Sequence, residues 1–151
     1  MRKHALDPAT VEARTGSIYP PEFQHVVAGR IKRRLGDALG LTDFGVNLVE
    51  VPPGTASALR HWHSAEDEFI YVLSGTLTLV TDAGEQQLPA GTCAGFAKNS
   101  GDGHCLVNRS DAPASYLEVG SRNAADRVVY SDVDMVLERR LVFAHKDGDA
   151  Y

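Results

Sequence analysis

The sequence predicts an all-β domain, and three observations lead to this prediction. Short segments rich in apolar, β-branched or aromatic residues recur from about residue 45 to residue 120. Glycine- and proline-containing turns separate them, as at Pro52-Pro53-Gly54 and Asp82-Ala83-Gly84. No useful length of this region carries apolar residues at helical spacing. Regularly spaced short strands joined by glycine turns are typical of a β-barrel or β-sandwich.

The predicted strands differ in how clearly they alternate. Residues 76–81 give the clearest signal, because threonine alternates with leucine or valine along the segment. Outside the central region the signals are weaker, and they predict a strand at 22–28 and one helical turn at 34–40. The other predicted strands are 45–51, 58–63, 69–73, 85–88, 92–97, 104–109, 114–120, 127–130 and 140–144.

Length and composition set the broad class. A chain of 151 residues with 43% hydrophobic and 23% charged residues fits one globular domain. The formal net charge of −5 argues against a nucleic-acid-binding protein, which needs a basic surface. The longest strongly apolar run, residues 69–73, is too short to cross a bilayer, so no membrane partner is expected.

A local basic run departs from this acidic balance. It consists of Arg30, Lys32, Arg33 and Arg34. We interpret it as a solvated or dimer-edge surface, as short charge runs usually are. The alternative is a patch that attracts a phosphorylated substrate.

The cysteines and the N-terminus bear on the cellular compartment. Cys93 and Cys105 do not suggest a disulfide framework, and no apolar stretch follows the basic residues near the start of the sequence. Both features predict a cytoplasmic protein. If residues 104–109 form a strand, Cys105 points away from the face that carries His104.

Four residues form the strongest candidate for chemistry. They are His61, His63, Glu68 and His104. Residues two apart on a strand share a face, so His61 and His63 can point the same way. Three imidazoles and a carboxylate complete the protein ligand set of a divalent transition metal. Without a thiolate, this set suits iron, manganese, nickel, zinc or copper, and the sequence does not choose among them.

Two motifs around these residues resemble those of the cupin superfamily. The run from Gly54 through His61, His63, Glu68 and Gly75 is similar to the first cupin motif. The run from Gly84 through Pro89-Ala90-Gly91 to His104 and Asn108 is similar to the second. The resemblance covers residues 45–120 and implies a double-stranded β-helix, or jelly-roll barrel. Residues 1–44 and 121–151 are then N- and C-terminal extensions that pack on the barrel or on a dimer partner.

The resemblance also implies a function. The chain looks most like small single-domain bacterial cupins, some of which carry a sugar-phosphate isomerase name. It therefore implies a homodimer that binds one divalent metal and a small polar metabolite, with the metal acting as a Lewis acid in isomerisation or epimerisation. Two alternatives stay open: an iron(II)-dependent dioxygenase, and a barrel that binds a metal or small molecule without catalysis. One scaffold hosts many chemistries, so fold alone does not decide.

The catalytic base is not identified by the sequence. Glu118, Tyr116 and Asp102 are candidates, because they lie on the strand after the last histidine ligand or in the loop before it. Glu66 and Asp67 flank Glu68 and are interpreted as a solvated acidic loop, although either residue type can serve as a ligand.

Overall fold

The fold consists almost entirely of antiparallel strands. The computed structural model describes residues 4–138 and 142–151. Within these residues the helical elements are short: 3-10 helices at Pro8–Thr10 and Pro21–Val27, and helix α1 at Leu35–Leu39. The all-β prediction is confirmed. The strands are β1 Ile31–Arg34, β2 Phe44–Val51, β3 His61–His63, β4 Glu68–Ser74, β5 Thr76–Thr81, β6 Gly84–Pro89, β7 Cys93–Phe96, β8 Cys105–Val107, β9 Ala114–Ser121, β10 Val128–Tyr130, β11 Val136–Glu138 and β12 Val142–Ala144.

Three sheets organise these strands. One has the order β1-β2-β9-β4-β7, one the order β6-β5-β8, and one the order β12-β11-β10-β3. The main core lies between the first two sheets, because its buried side chains come from β2, β4 and β9 on one side and from β5, β6 and β8 on the other. They are Val49, Val51, Ile70, Val72, Leu77, Leu79, Leu88, Leu106, Ala114 and Tyr116.

The segments before and after the central barrel continue its sheets. β1 pairs with β2, so the first segment adds an edge strand to the five-stranded sheet. β10 pairs with β3, with Val128 opposite His63 and Tyr130 opposite His61. A second apolar cluster, which includes Tyr19, Val27 and Met135, joins the two segments to each other. The described part of the chain contains no helix with the length and apolarity needed to cross a membrane.

Side chains in β4 alternate between the core and the surface. Ile70 and Val72 are buried, whereas Phe69, Tyr71 and Leu73 are exposed. Alternation in a strand places Glu68 on the same face as the two buried residues. This alternation directs the Glu68 carboxylate into the barrel.

The prediction of a strand at residues 22–28 is wrong. Pro21–Val27 is a 3-10 helix instead. Proline at the first helical position has a preset φ and needs no hydrogen-bond acceptor, which favours a helical turn after Pro20. Phe23 N–H then donates to the Pro20 carbonyl at 2.9 Å, and Val27 is buried. The predicted helical turn at 34–40 is confirmed by α1, which ends before Gly40 at φ 72°.

Two other predicted strands are matched only over part of their length. The segment predicted as 58–63 pairs as a strand only over His61–His63. The backbone of Leu59, before this strand, forms hydrogen bonds with side chains and not with a neighbouring strand. Its N–H donates to the Tyr19 hydroxyl at 3.2 Å, and its carbonyl lies 2.7 Å from His61 Nδ1. The prediction at 140–144 falls partly outside the described residues, and β12 covers the part that is described.

Gly75 connects β4 to β5 where no side chain fits. Its φ is 72°, and a Cβ atom built there would lie 2.9 Å from both the Cα and the Cβ of Ala114. We expect Gly75→Ala to lower the free energy of unfolding by about 2–4 kcal/mol, because left-handed backbone strain adds to the clash. Urea denaturation measures the effect. Gly54→Ala is the matched control, because Gly54 has φ 78° and nothing within 4 Å of the added atom. Equal losses in the two variants would show that close approach to Ala114 is unimportant.

Candidate metal centre

The four predicted ligand residues come from adjacent strand ends. His61 and His63 lie in β3, and Glu68 is the first residue of β4. His104 immediately precedes β8 and forms an isolated bridge with His61. Reciprocal backbone hydrogen bonds of 2.9 and 3.1 Å hold these two histidines side by side. The fold therefore brings residues separated by more than 40 positions into one cluster.

The imidazole rings surround one carboxylate oxygen. Glu68 Oε2 lies 3.1 Å from His104 Nε2, 3.6 Å from His63 Nε2 and 4.0 Å from His61 Nε2. Donor atoms that share one ion at about 2.1 Å are separated by about 3 Å at right angles and by about 4 Å on opposite sides. The observed separations from Glu68 Oε2 lie in that range. The ligand atoms of His61, Glu68 and His104 all lie within 4.8 Å of one another, as in a candidate metal site, and His63 Nε2 adjoins this group through Glu68.

Hydrogen bonds at Nδ1 leave the Nε2 atoms of His61 and His63 free to bind an ion. His61 Nδ1 lies 2.7 Å from the Leu59 carbonyl, and His63 Nδ1 lies 2.7 Å from the Asp126 carboxylate. Both partners only accept, so each Nδ1 carries the proton and each Nε2 keeps its lone pair. Burial lowers the pKa of His61 to about 4, so this ring is neutral at neutral pH, as a ligand must be.

His104 is positioned by packing. Its ring stacks on Phe96 with ring centres 3.5 Å apart and an interplanar angle of 1°. Its Nδ1 is buried and has no hydrogen-bond partner among the described residues. Its orientation therefore depends on the aromatic stack, on the backbone bridge to His61 and on the 3.1 Å hydrogen bond between its Nε2 and Glu68 Oε2.

Two adjoining cavities lead to this cluster. An inner cavity of about 220 Å³ contains the four ligand candidates at its wall, and an outer cavity of about 290 Å³ shares Lys32, His63, Glu68 and Glu118 with it. The inner wall combines these groups with tyrosine hydroxyls and apolar side chains. Its other lining residues include Tyr19, Arg30, Ser57, Ile70, Phe96, Leu106, Tyr116, Val128 and Tyr130.

An ion pair crosses the cavity beside the cluster. Lys32 Nζ lies 3.3 Å from Glu118 Oε2, and the Asn47 amide donates to the same oxygen at 3.0 Å. Burial alone raises the pKa of Glu118, but the Lys32 ammonium and the hydrogen bond from the Asn47 amide outweigh it and lower the pKa. Glu118 is thus held as a carboxylate next to Glu68.

The other two candidates for a base lie in different surroundings. Tyr116 lines the inner cavity, and burial raises the pKa of its hydroxyl well above the usual range. Asp102 lies in the loop before His104, where its carboxylate accepts a hydrogen bond of 2.8 Å from Asp82 N–H. The fold therefore brings Glu118 and Tyr116, but not Asp102, to the cavity wall.

The acidic loop beside Glu68 has its own partners. Glu66 Oε1 accepts from Asn123 N–H at 2.8 Å, and Asp67 Oδ1 accepts from Lys98 N–H at 2.9 Å. Glu66, Asp126 and His63 also form a cluster that has the spacing of metal ligands, separate from the cluster of His61, Glu68 and His104. His63 thus presents a different ring nitrogen to each cluster.

The interpretation of the basic run Arg30, Lys32, Arg33 and Arg34 as a solvated surface is wrong for Lys32. Only 28% of its side chain is exposed, and its ammonium is paired within the cavity. Arg34, at 51% exposure, matches the interpretation better. Alternation in β1 places both residues on one face, but Arg34 is the last residue of the strand and lines only the outer cavity, whereas Lys32 lines both cavities. Sequence reasoning missed Asn47 and Asp126, because they belong to no recognisable motif.

Comparison with known proteins agrees with this geometry. A family profile described as the cupin domain matches residues 47–120. A crystal structure from Silicibacter pomeroyi, described as a sugar phosphate isomerase from a cupin superfamily, is 45% identical in sequence. It superposes with a TM-score of 0.94, and the match covers 97% of this chain and 96% of that one. The chain belongs to the cupin superfamily. Its double-stranded β-helix is the fold that the two motifs predicted.

Other solved cupins are more distant. A protein from Acidithiobacillus ferrooxidans, provisionally named a sugar phosphate isomerase, is 29% identical, with a TM-score of 0.73 and coverage of 81% of this chain and 80% of that one. A polyketide cyclase from Streptomyces resistomycificus is 22% identical, with a TM-score of 0.66 and coverage of 80% of each chain, and shows the fold alone. A search of proteins with curated functions finds no match. Cupins usually bind a metal, and this cupin has candidate His and Glu ligands for one.

Proposed function

We propose that this cupin is a metal-dependent isomerase or epimerase of a small anionic metabolite that carries a carbonyl group, such as a sugar phosphate. The convergence of three Nε2 atoms on Glu68 at the wall of the inner cavity carries this proposal. The names of the similar proteins from Silicibacter pomeroyi and Acidithiobacillus ferrooxidans support the substrate class.

The charges of the inner cavity support an anionic substrate. Arg30 and Lys32 balance Glu68 and Glu118 at its wall. A divalent ion held by His61, His63, Glu68 and His104 adds positive charge to this balanced lining. An anionic group would then restore neutrality, and the partial burial of these charges strengthens that compensation.

The side chains at the wall have separate tasks in this proposal. A bound divalent ion supplies a Lewis acid that polarises a carbonyl and acidifies the neighbouring C–H bond. Glu118 is the carboxylate that receives the proton, because it is ionised and lies beside Glu68. Lys32 binds the anionic group, and the Tyr116 hydroxyl remains protonated and serves as a hydrogen-bond donor.

Solvent exchange tests the proposal. We expect the metal-loaded protein to incorporate deuterium from D2O next to the carbonyl of a member of a panel of phosphorylated aldoses and ketoses. NMR or mass spectrometry measures the incorporation. Glu118→Gln should slow it by about 100- to 10,000-fold, because a general base is lost. Metal-free protein is the control for metal dependence, and exposed His25→Ala is the control for substitution.

Three outcomes would contradict the proposal. No exchange with any panel member would remove the isomerase reaction. Oxygen consumption that depends on added iron would identify a dioxygenase instead. A retained, unchanged ligand without turnover would identify a binding protein.

The homodimer stays a prediction, and light scattering on the purified protein tests it.

A further inference from the structure

Asp126 lies after the segment that matches the cupin domain, yet its carboxylate contacts a candidate metal ligand. Its Oδ2 lies 2.7 Å from His63 Nδ1, and its Oδ1 accepts from Ala65 N–H at 2.8 Å. Only 10% of its side chain is exposed. We infer that Asp126 is a positioning residue that fixes the tautomer and ring orientation of His63 for metal binding. This inference rests on the metal centre in the proposed function.

Strand pairing holds Asp126 firmly in place. Ser64 N–H donates to the Arg127 carbonyl at 2.9 Å, and Arg127 N–H donates to Ser64 Oγ at 2.8 Å. On the other side, Asp126 N–H closes a turn with the Asn123 carbonyl at 3.0 Å. The C-terminal segment is therefore fastened to the residue after β3 on one side of the carboxylate and held in a turn on the other.

The two hydrogen bonds determine where the proton of His63 resides. An ionised carboxylate only accepts hydrogen bonds, so Nδ1 must be the protonated nitrogen. In a neutral imidazole, Nε2 then carries the lone pair, and Nε2 is the atom that faces Glu68 at 3.6 Å. A carboxylate behind a histidine ligand also raises the basicity of the ligand.

An asparagine cannot reproduce this arrangement. Its side chain has one acceptor oxygen, whereas Asp126 serves two N–H groups. If the oxygen stays with Ala65 N–H, the amide nitrogen faces Nδ1 and donates to it. His63 must then protonate Nε2, which removes the lone pair from the metal site. Glu66 Oε2, at 3.8 Å from Nδ1, is outside hydrogen-bonding distance in this arrangement.

The chain contains a matched control. Asp134 Oδ2 lies 3.1 Å from His145 Nδ1, and Asp134 Oδ1 accepts from Lys146 N–H at 2.9 Å. This is the same pairing of one carboxylate with a histidine and a backbone N–H. Neither Asp134 nor His145 lines the two cavities of the metal centre. Asp134→Asn therefore makes the same chemical change away from the centre.

The experiment compares Asp126→Asn, Asp134→Asn and the unmodified full chain. Zn²⁺ is the probe, and competition with a chromophoric chelator measures its affinity. We expect about 10- to 100-fold weaker binding in Asp126→Asn, the usual cost of losing such a partner, and unchanged binding in Asp134→Asn. Long-range ¹H–¹⁵N NMR on the metal-free proteins should show His63 protonated at Nδ1 in the unmodified chain and at Nε2 in Asp126→Asn.

The two readouts separate this inference from the proposed function. Unchanged zinc affinity, or a His63 tautomer that does not respond to Asp126→Asn, would overturn the positioning role. An equal loss in Asp134→Asn would also overturn it, because the effect would then be general. If the unmodified chain binds no zinc, the proposed function fails. The tautomer in the metal-free protein would still decide whether Asp126 controls His63.

Discussion

His104→Ala is expected to eliminate metal binding under conditions in which the unmodified protein holds close to one ion per chain. The substitution removes the nitrogen closest to Glu68 Oε2, at 3.1 Å, from a set of four ligand candidates. The loss of affinity should exceed the roughly 100-fold upper range seen when only an outer hydrogen-bond partner is lost. Elemental analysis of protein purified without a His-tag or chelator measures the effect.

Two further variants separate ligand loss from damage to the fold. His104→Gln keeps most of the side-chain volume against Phe96 while removing the imidazole, so it should also lose the metal. His25→Ala removes an exposed histidine and should keep the metal. Full metal content in His104→Ala would remove His104 from the centre. Iron in the unmodified protein would favour oxygen chemistry, whereas zinc, manganese or nickel would favour the Lewis-acid reaction.

Lys32→Met should destabilise the metal-free protein by about 1–3 kcal/mol. The substitution leaves the Glu118 carboxylate beside Glu68 without its cation, and breaking a buried ion pair from one side is strongly unfavourable. The pair is 28% and 20% exposed, so we expect less than the full cost of a completely buried charge. Urea denaturation of the two metal-free proteins measures the difference in free energy of unfolding.

The double variant Lys32→Met/Glu118→Gln provides the decisive comparison. It removes both charges and keeps a polar group opposite Asn47, so it should recover most of the lost stability. Arg34→Met is the control within the same basic run. Its pair with Asp37 is at the surface, 3.9 Å apart, and should contribute about 0.5 kcal/mol or less. Equal losses for Lys32→Met and Arg34→Met would show that the cavity does not strengthen the ion pair.

Local sequence patterns predicted much of the barrel. The apolar segments predicted at residues 69–73 and 76–81 form β4 and β5, because strands of this composition can bury one face in the core. At residues 22–28 the same kind of reasoning failed. There Pro20-Pro21 favours a helical turn, and contacts with Tyr19 and Val128 stabilise it in a way that composition does not reveal.

The charged residues show the limit of sequence more clearly. Lys32 and Arg34 belong to one basic run and look alike in the sequence, yet one enters the cavity and the other remains half-exposed. The two residues share one face of β1, and their place in the register with β2 separates them: Lys32 lies opposite Val49 and lines both cavities, whereas Arg34 lies opposite Asn47 at the strand end and lines only the outer one. A run of like charges carries no information about that register.

The sequence by itself determined the family and the identity of the candidate ligands, because both depend on residue types at fixed local spacing. Only the tertiary structure decided what surrounds them. Asp126 reaches His63 through the pairing of β10 with β3, and Glu118 meets Lys32 through the pairing of β2 with its two neighbours. These contacts join residues more than 60 positions apart, and they form only when strands with no shared motif lie side by side in the folded chain.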